Sequence, residues 1–283
     1  NQNVSRTGRL SSSSPNLQNI PQDNKDIKKA FIAPPGHTLV QADYSQIEFR
    51  MWAHLSGDQK MINDIRSGMD IHAVTAAEFW GIPLDQVTKR QRKAAKFVVF
   101  GLMYGRGAKS VAKQVKIKEE EASQIIENFF AKYPVAARWL RLTKEFAHNR
   151  MFVMNHFGRI RRLPHIQEDD FAKRGEAERQ AVNAPIQSSA ADCTGIAMVR
   201  INKKLNQLGY KSRIVLTVHD SIVLEVPNEE LTEVTKVIYK CMTDQIEGIT
   251  VPLEVEIEIG PNWADAEEID LNNIERAIQE YLE

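Results

Sequence analysis

The sequence predicts an α+β fold, in which an antiparallel sheet carries helices on one face and a large helical insertion separates its strands. Segments rich in β-branched residues lie near both ends of the chain, at 37–43, 213–226 and 252–260. More than a hundred residues between them place apolar side chains at helical spacing. His219 and Asp220 separate two β-rich runs, as the turn of a hairpin does, so neighbouring strands are expected to run antiparallel.

The elements follow in order along the chain. After an irregular Ser- and Pro-rich segment (7–21), the first strand begins beyond Pro34-Pro35-Gly36 and ends at Asp43. Helical periodicity predicts helices at 46–55, 70–80, 86–104, 119–148 with a break at Pro134, 176–208 and 229–246. In the last strand, apolar residues alternate with Glu254, Glu256 and Glu258, which predicts a half-buried strand. The two ends of the chain therefore build the sheet, and the middle builds the helical insertion.

Composition excludes several classes of protein. The 283 residues are 42% hydrophobic and 26% charged, with only 14 Gly and 11 Pro, which excludes disordered and collagen-like chains. No apolar run reaches the roughly 18 residues that a membrane span needs. Cys193 and Cys241 are too far apart and too few to form a zinc site by themselves. A cytoplasmic protein is expected, because the first residues lack the pattern of a signal peptide.

The net charge of zero hides two opposed regions. Residues 89–118 contain ten basic residues and no acidic one. They are Lys89, Arg90, Arg92, Lys93, Lys96, Arg106, Lys109, Lys113, Lys116 and Lys118. Arg159, Arg161 and Arg162 form a second cluster, whereas acidic residues dominate after Glu225. The basic run predicts a surface for a polyanion, with a merely solvated helix face as the alternative for its second half.

Two carboxylates, Asp43 and Asp220, stand at predicted strand ends far apart in sequence. If their strands are neighbours, the two groups need a cation between them, or one of them must be protonated. Hard carboxylate oxygens suit Mg²⁺, and a pair of metal ions is the usual arrangement for phosphoryl transfer. For either residue alone, a turn or capping role is the alternative.

A helical stripe is the second candidate site. Arg92, Lys96, Phe100 and Tyr104 are four residues apart, so they share one helix face and rise about 6 Å at each step. The cationic half suits a triphosphate, and the aromatic half suits stacking on a base. Gly105, directly after the stripe, allows a close approach or a helix end.

These motifs, in this order, resemble those of the family A DNA polymerases. The matching segments are TGRLSSSSPNLQNIP (7–21), DYSQIEFR (43–50), the 92–105 spacing, ERQAVNAPIQSSAAD (178–192) and VHDS (218–221). The resemblance covers about residues 1–268. It implies a palm formed by 1–49 and 178–283, the latter with a helical tail, and fingers formed by 50–177.

The resemblance also implies a role for individual residues. Asp43, Asp220 and the main-chain carbonyl of Tyr44 are the expected ligands of two Mg²⁺ ions, and Lys96 is the expected donor of a proton to the leaving pyrophosphate. The implied nucleotide-binding residues are Gln46, Glu48, His72, Arg92, Lys96, Phe100 and Tyr104. Glu48 matches the steric gate against a 2′-hydroxyl, and Phe100 in place of Tyr implies discrimination against dideoxynucleotides. The implied DNA-binding residues are Arg9, Asn16, Gln18, Arg179, Asn183, Gln187 and His219.

Three departures from the family pattern qualify this interpretation. Ser221 stands where the family usually has a third carboxylate. Family members continue upstream into thumb and exonuclease regions, for which the few residues before Arg9 leave no room, so a segment of the same gene product or a separate chain is an expected partner beside primer-template DNA and dNTP. Weak DNA affinity and low processivity are therefore expected of this chain alone. A helical tail after Glu268 was expected to dock on such a missing piece.

Two other functions remain open at this point. His-Asp-Ser is the sequence of phage-type single-subunit RNA polymerases, which raises an RNA polymerase or reverse transcriptase on the same fold as an alternative. A non-catalytic nucleic-acid-binding subunit that keeps the fold is the other. Glu48 argues against the first alternative, and the intact Asp43, Asp220, Arg92 and Lys96 argue against the second.

Overall fold

The computed structural model describes residues 1, 4–20 and 25–283. Pro21, the last residue of the 7–21 segment, lies outside the described residues. The helices are α1 (Lys25–Lys29), α2 (Ile47–Ser56), α3 (Gln59–Arg66), α4 (Ile71–Trp80), α5 (Lys89–Met103), α6 (Ala108–Val115), α7 (Glu119–Lys132), α8 (Pro134–Arg150), α9 (Phe171–Leu208), α10 (Leu231–Thr243) and α11 (Ile274–Leu282). The strands are β1 (His37–Tyr44), β2 (Phe152–Met154), β3 (Ile160–Arg162), β4 (Arg213–Val218), β5 (Ser221–Pro227), β6 (Val255–Gly260) and β7 (Glu267–Glu268).

The chain divides into two compact units. Its five-stranded antiparallel sheet and its many helices confirm the predicted α+β class. The first unit contains Asn1–Ile47, Ala190–Glu247 and Leu253–Glu283, and the second contains Glu48–Ser189 and Gly248–Pro252. Sequence reasoning placed the boundaries at 49/50 and 177/178. The second of those positions falls inside α9, a 38-residue helix that also contains Pro185.

The first unit is built on an antiparallel sheet with strand order β4-β5-β1-β6-β7. Along β1, the residues at even positions, such as Val40 and Ala42, are buried. Helix α10 packs against β1, β5 and β6 and covers this face. The opposite face carries the more polar residues of β1, including Gln41 and Asp43. The alternation expected of a sheet with one covered face is thus present.

The C-terminal helix α11 packs on α10 within the first unit. Ile274 and Ile278 are buried, and Lys236 of α10 binds Glu275 at 2.6 Å. The tail therefore docks on its own chain, which corrects the expectation that its apolar face needs a missing piece. The final strand, predicted from residue 252, begins at Val255, since Pro252 has no amide proton to donate to a ladder.

The second unit is mainly helical. Trp52 stacks on Phe129 with ring centroids 5.7 Å apart, and Tyr133 donates to the buried Asp64 carboxylate at 2.9 Å. The Asp58 carboxylate caps two helices, since it accepts from the main-chain amides of Met61, Val135 and Ala136.

The helix predicted over 119–148 breaks at Pro134 as expected, because Pro fits the first turn of α8. Phe146 of α8 is 43% exposed and packs edge-to-face on Phe152. No helix in the described part of the chain is long and apolar enough to cross a membrane.

Candidate active site

The two candidate metal-binding carboxylates lie at one end of the sheet, Asp43 on β1 and Asp220 in the turn that precedes the neighbouring strand β5. Asp43, the penultimate residue of β1, is exposed and pairs across the ladder with Ser221, the first residue of β5. Val218 pairs with Ser221, so His219 and Asp220 form the two-residue turn between β4 and β5. His219 has a φ of 55°, in the left-handed region that tight hairpin turns use. The hairpin thus places Asp220 next to the residue that faces Asp43.

Arg9 binds one of these carboxylates directly. Its Nη2 atom lies 3.1 Å from Oδ1 and 3.2 Å from Oδ2 of Asp220. Both side chains are partly buried, at 24% and 19% exposure. Arg9, the expected minor-groove contact, therefore forms an ion pair with an expected metal ligand. The 211 residues that separate the two give no local pattern from which this pair is predicted.

The surroundings of the carboxylates fit a hard cation by donor chemistry, though with few ligands. No group of three His, Cys, Asp or Glu side chains converges in 1, 4–20 or 25–283. Ser221 occupies the third carboxylate position, and its buried Oγ has no hydrogen-bond partner among the residues described. On the other side of β1, Glu256 of β6 pairs with Asp43. Carboxylate oxygens from Asp43 and Asp220 are the ligand type that Mg²⁺ prefers.

Only the main chain of Tyr44 remains for the site. Its side chain is 4% exposed, and its hydroxyl donates to the Met242 carbonyl at 2.9 Å. Burial raises the pKa of Tyr44 far above its ordinary value. Gln46, two residues further on, has a φ of 52° and is half-buried.

The expected cationic-to-aromatic stripe runs along α5 in the second unit. Thr88 and Gln91 form a capping box that starts this helix, and Tyr104 is its C-terminal cap. Arg92 and Lys96 are exposed, and Lys96 Nζ lies 5.7 Å from the centroid of the Phe100 ring. The rings of Phe100 and Tyr104 are 6.2 Å apart. The four side chains thus form one continuous stripe.

Glu48 ties α2 to the end of this stripe. Its side chain is buried, at 5% exposure, and accepts a hydrogen bond of 2.5 Å from the Tyr104 hydroxyl. A charge-assisted bond of this kind is stronger than one between neutral groups. Tyr104, at the aromatic end of the stripe, therefore fixes the position of the Glu48 carboxylate, the candidate steric gate.

His72 lies beneath Phe100. The imidazole is 1% exposed, its centroid is 5.9 Å from that of the Phe100 ring, and neither ring nitrogen has a partner among the residues described. Burial lowers the pKa of His72 to about 4; Asp70 opposes this shift, and Lys96 and Arg92 add to it. The imidazole is therefore neutral at pH 7.

Sequence reasoning missed a partner of the stripe, Asp70. Its carboxylate caps α4 by accepting from the amides of His72 and Ala73, and it also accepts from Arg92 Nε at 2.6 Å. Burial alone would raise the pKa of Asp70, but the hydrogen bonds from Arg92 and the Ala73 amide hold it below its usual range. The 22 residues that separate Asp70 from Arg92 leave no local pattern from which this pairing is predicted.

Three expected DNA contacts share one face of α9, because Arg179, Asn183 and Gln187 are four residues apart. Arg179 is exposed, while the other two are half-buried. Gly105, at φ 64°, faces Arg179: a β-carbon there would lie 3.4 Å from Arg179 Cγ. This glycine permits the end of α5 to approach α9 closely.

The remaining expected DNA contacts belong to the first unit. Gln18 Nε2 donates to the Thr217 carbonyl at 3.1 Å, and the Asn16 side chain accepts from the Gln18 amide at 3.1 Å. His219 is exposed at the hairpin turn. Asn16 and Gln18 thus hold backbone groups in this structure, and their contact with DNA stays a prediction.

The basic run forms a surface in the second unit. All ten basic residues of 89–118 are exposed. In the second cluster Arg159 and Arg162 are exposed, while Arg161 is half-buried and donates to Gln180 at 2.8 Å.

A family model and the similar proteins with known names all belong to the DNA polymerases. Residues 1–265 match the model of the family described as DNA polymerase family A. DNA polymerase I of Chloroflexus aurantiacus is 42% identical over 266 residues, which cover 93% of this chain and 28% of that protein. Thermostable DNA polymerase I of Thermus aquaticus is 42% identical over 271 residues, which cover 95% of this chain and 32% of that protein.

One solved structure is similar over most of the chain. It is the POL domain of Pol1 from M. smegmatis in complex with DNA primer-template and dNTP. The TM-score is 0.88 at 38% identity, and the match covers 94% of this chain and 47% of that one. The chain thus spans about a third of the length of the curated relatives cited above.

Proposed function

This chain belongs to DNA polymerase family A, and from that premise we propose that it is a DNA-directed DNA polymerase, which adds deoxynucleoside triphosphates to the 3′-hydroxyl of a primer as a template directs. The observation that carries the proposal is the pairing of Asp43 with Ser221, which brings Asp43 and the adjacent hairpin turn with Asp220 to the same end of the sheet. The M. smegmatis domain that this chain resembles was solved with primer-template and dNTP, the same substrate class.

The carboxylates of Asp43 and Asp220, with the Tyr44 carbonyl, would hold two Mg²⁺ ions. Bound there, the ions supply charge neutralisation for the phosphates and activation of the attacking hydroxyl. The low number of protein ligands fits Mg²⁺, which keeps several waters and also binds substrate phosphates. Arg9 has to leave Asp220 for the full carboxylate to serve as a ligand.

The triphosphate is assigned to Arg92, Lys96 and His72. Lys96 is exposed and forms no ion pair with any residue that the structure describes, so its ammonium group is available to a phosphate and to protonate the departing pyrophosphate. His72 keeps two ring nitrogens unpartnered in a buried position, which is costly unless a ligand pairs with one of them.

The sugar and base are assigned to Glu48, Phe100 and Tyr104. A carboxylate fixed by Tyr104 beneath C2′ leaves room for hydrogen but not for a hydroxyl, so deoxynucleotides are preferred. Phe100, half-buried next to His72, offers a flat apolar surface to the incoming nucleotide. Arg9, Arg179, Asn183 and Gln187 are assigned to the primer-template, where donors to the minor groove check the shape of a base pair without reading its identity.

Primer extension by an Asp220→Asn variant tests this function. Removal of one metal ligand is expected to lower the rate by about 10²-fold or more, because several kcal/mol of charge stabilisation are lost. Asp244→Asn, which changes an exposed carboxylate after α10, is the matched control and should retain full activity. Extension that survives in Asp220→Asn would leave the fold assigned and the function wrong.

A second candidate function is favoured by one observation, Ser221 after His219-Asp220, which is the sequence of phage-type RNA polymerases. Comparing dNTP with rNTP incorporation separates the two. The unmodified chain is expected to reject ribonucleotides, and Glu48→Ala to accept them. Preference of the unmodified chain for ribonucleotides would instead establish the second candidate.

A further inference from the structure

A cleft lies along α5, within the second unit, and is lined by residues outside the Arg92 stripe. Its volume is about 980 Å³, at the upper end of the roughly 300–1,000 Å³ usual for ligand sites. Side chains that line it include Trp80, Arg90, Lys93, Phe97 and Lys116. None of the described residues that line it is an Asp or a Glu. The cleft is thus basic and partly aromatic.

The lining of the cleft includes none of the four residues of the stripe that carries the proposed reaction. Successive residues of a helix are rotated by about 100°, so Lys93 and Phe97 are turned about 100° around the axis of α5 from Arg92 and Lys96. Arg90, Lys93 and Phe97 are three and four residues apart and form their own cationic-to-aromatic row. The proposed polymerase chemistry uses none of the five lining residues named above.

The cations of the cleft are not neutralised. Arg90, Lys93 and Lys116 are all exposed, and in the part of the chain that the structure describes none of them forms an ion pair. Arg92, on the other face of α5, pairs with Asp70 at 2.6 Å. The positive charge of the cleft therefore remains available to an anionic ligand.

Phe97 is an exposed aromatic residue on a charged surface. Its side chain is 39% exposed, although it lines a cleft whose other walls include apolar Val115 and Ile117. A ring that stays accessible between cations offers a stacking surface beside phosphate-binding groups. An acidic peptide would use the cations but gives no role to the accessible ring.

We propose that this cleft binds single-stranded DNA, with Phe97 stacking on a base and Arg90, Lys93 and Lys116 pairing with backbone phosphates. Aromatic faces and cations in one groove bind single strands with little sequence preference, because every base has a flat face. The proposed contacts use none of Asp43, Asp220 and the four residues of the Arg92 stripe, so binding and the proposed polymerase activity are testable independently.

Binding of fluorescent (dT)₁₂ to the full chain, followed by anisotropy with saturating unlabelled blunt hairpin duplex, tests the proposal. Phe97→Ala and Phe97→Leu should each weaken binding by about fivefold or more, since stacking contributes about 1–3 kcal/mol per base. Phe97→Trp should retain it. Lys93→Ala with Lys116→Ala should reduce the slope of log affinity against log salt by about 1.4, since each phosphate contact contributes about 0.7.

Two controls are matched to these variants. Phe171→Ala removes an aromatic ring that is 80% exposed outside the cleft. Lys203→Ala with Lys204→Ala removes two exposed lysines of α9 in the first unit. Both controls should bind (dT)₁₂ as the unmodified chain does, and thermal unfolding confirms that each variant is folded.

Equal (dT)₁₂ affinity in the Phe97 variants and the unmodified chain overturns the proposal. The proposal is also overturned if poly-glutamate displaces (dT)₁₂ and Phe97→Ala does not change the affinity for (dT)₁₂. That result would identify an acidic protein segment as the ligand. If the chain fails to extend primers while Phe97→Ala still weakens (dT)₁₂ binding, the cleft assignment stands and the polymerase assignment fails.

Discussion

The Tyr104 hydroxyl donates a 2.5 Å hydrogen bond to the Glu48 carboxylate. This bond joins the residue that ends α5 to the first turn of α2, and Glu48 is 5% exposed. Any movement of the end of α5 away from α2 breaks the bond. The geometry of the proposed sugar gate is therefore coupled to the position of α5.

Tyr104→Phe removes this bond and leaves the buried carboxylate with one donor fewer. We expect the free energy of unfolding to fall by about 1–3 kcal/mol, the usual cost of depriving a buried acceptor of its donor. Urea unfolding measures the change. Tyr239→Phe, at a residue of α10 that is 38% exposed, is the control and should leave the unfolding midpoint unchanged. Identical midpoints in the two variants would show that the bond does not stabilise the fold.

Sequence reasoning predicted the elements whose signals are local. The strand that ends near Asp43, the His219-Asp220 turn and the 92–104 stripe are each set by periodicity over a few residues, and the structure contains all three. The Arg9–Asp220 ion pair and the burial of His72 depend on residues far apart in the chain, so no local pattern reports them.

His72 makes stability depend on pH in a defined window. In the folded chain its pKa is about 4, whereas an unfolded histidine has a pKa of 6.5, so the unfolded state takes up the proton first as the pH falls. The contribution of neutral His72 to the free energy of unfolding is fully present above pH 6.5. It is lost as the pH falls from 6.5 to 4, by an amount on the order of 2–3 kcal/mol. His54, whose pKa is also lowered to about 4 by burial and by His156, contributes in the same window.

Replacing His72 separates its contribution from that of His54. His72→Phe should be as stable as the unmodified chain or more so at pH 7.5, because two unpartnered ring nitrogens are removed, and its loss of stability at pH 5 should be smaller. His72→Gln also cannot titrate but keeps a polar group, so it should share the flatter pH profile without the gain at pH 7.5. Urea unfolding at both pH values decides; an unchanged profile in both variants would assign the pH dependence elsewhere. The KM for dNTP should rise in His72→Phe if the imidazole binds the triphosphate.

Arg9 binds the Asp220 carboxylate, which is a proposed ligand of Mg²⁺, so the two are expected to compete. Arg9→Ala removes the guanidinium from the carboxylate, and a partly exposed pair of this kind is worth up to about 1 kcal/mol. The Mg²⁺ concentration for half-maximal primer extension should therefore fall by up to about fivefold, while affinity for primer-template falls if Arg9 also contacts the minor groove. Arg213→Ala breaks a comparable pair with Glu225 between β4 and β5 and should leave the Mg²⁺ requirement unchanged. Equal Mg²⁺ requirements in both variants would show that Arg9 does not restrict the site.

Ser221→Glu adds a carboxylate beside Asp43 and Asp220, at the end of the sheet where Glu256 already pairs with Asp43. Acidic groups gathered there repel each other without a cation, and the new side chain enters a position where Ser221 is 7% exposed. We expect Ser221→Glu to have a lower Tm than the unmodified chain in EDTA and to recover most of the difference in Mg²⁺.

Ser221→Gln, which adds the same volume without the charge, is the control for this variant. It should be destabilised to a similar extent in both conditions, because the strain of the larger side chain does not depend on a cation. Tm measured across a Mg²⁺ titration compares the two. A Mg²⁺-dependent gain of equal size in Ser221→Glu and Ser221→Gln would mean that a carboxylate at position 221 does not contribute to Mg²⁺ binding at this end of the sheet.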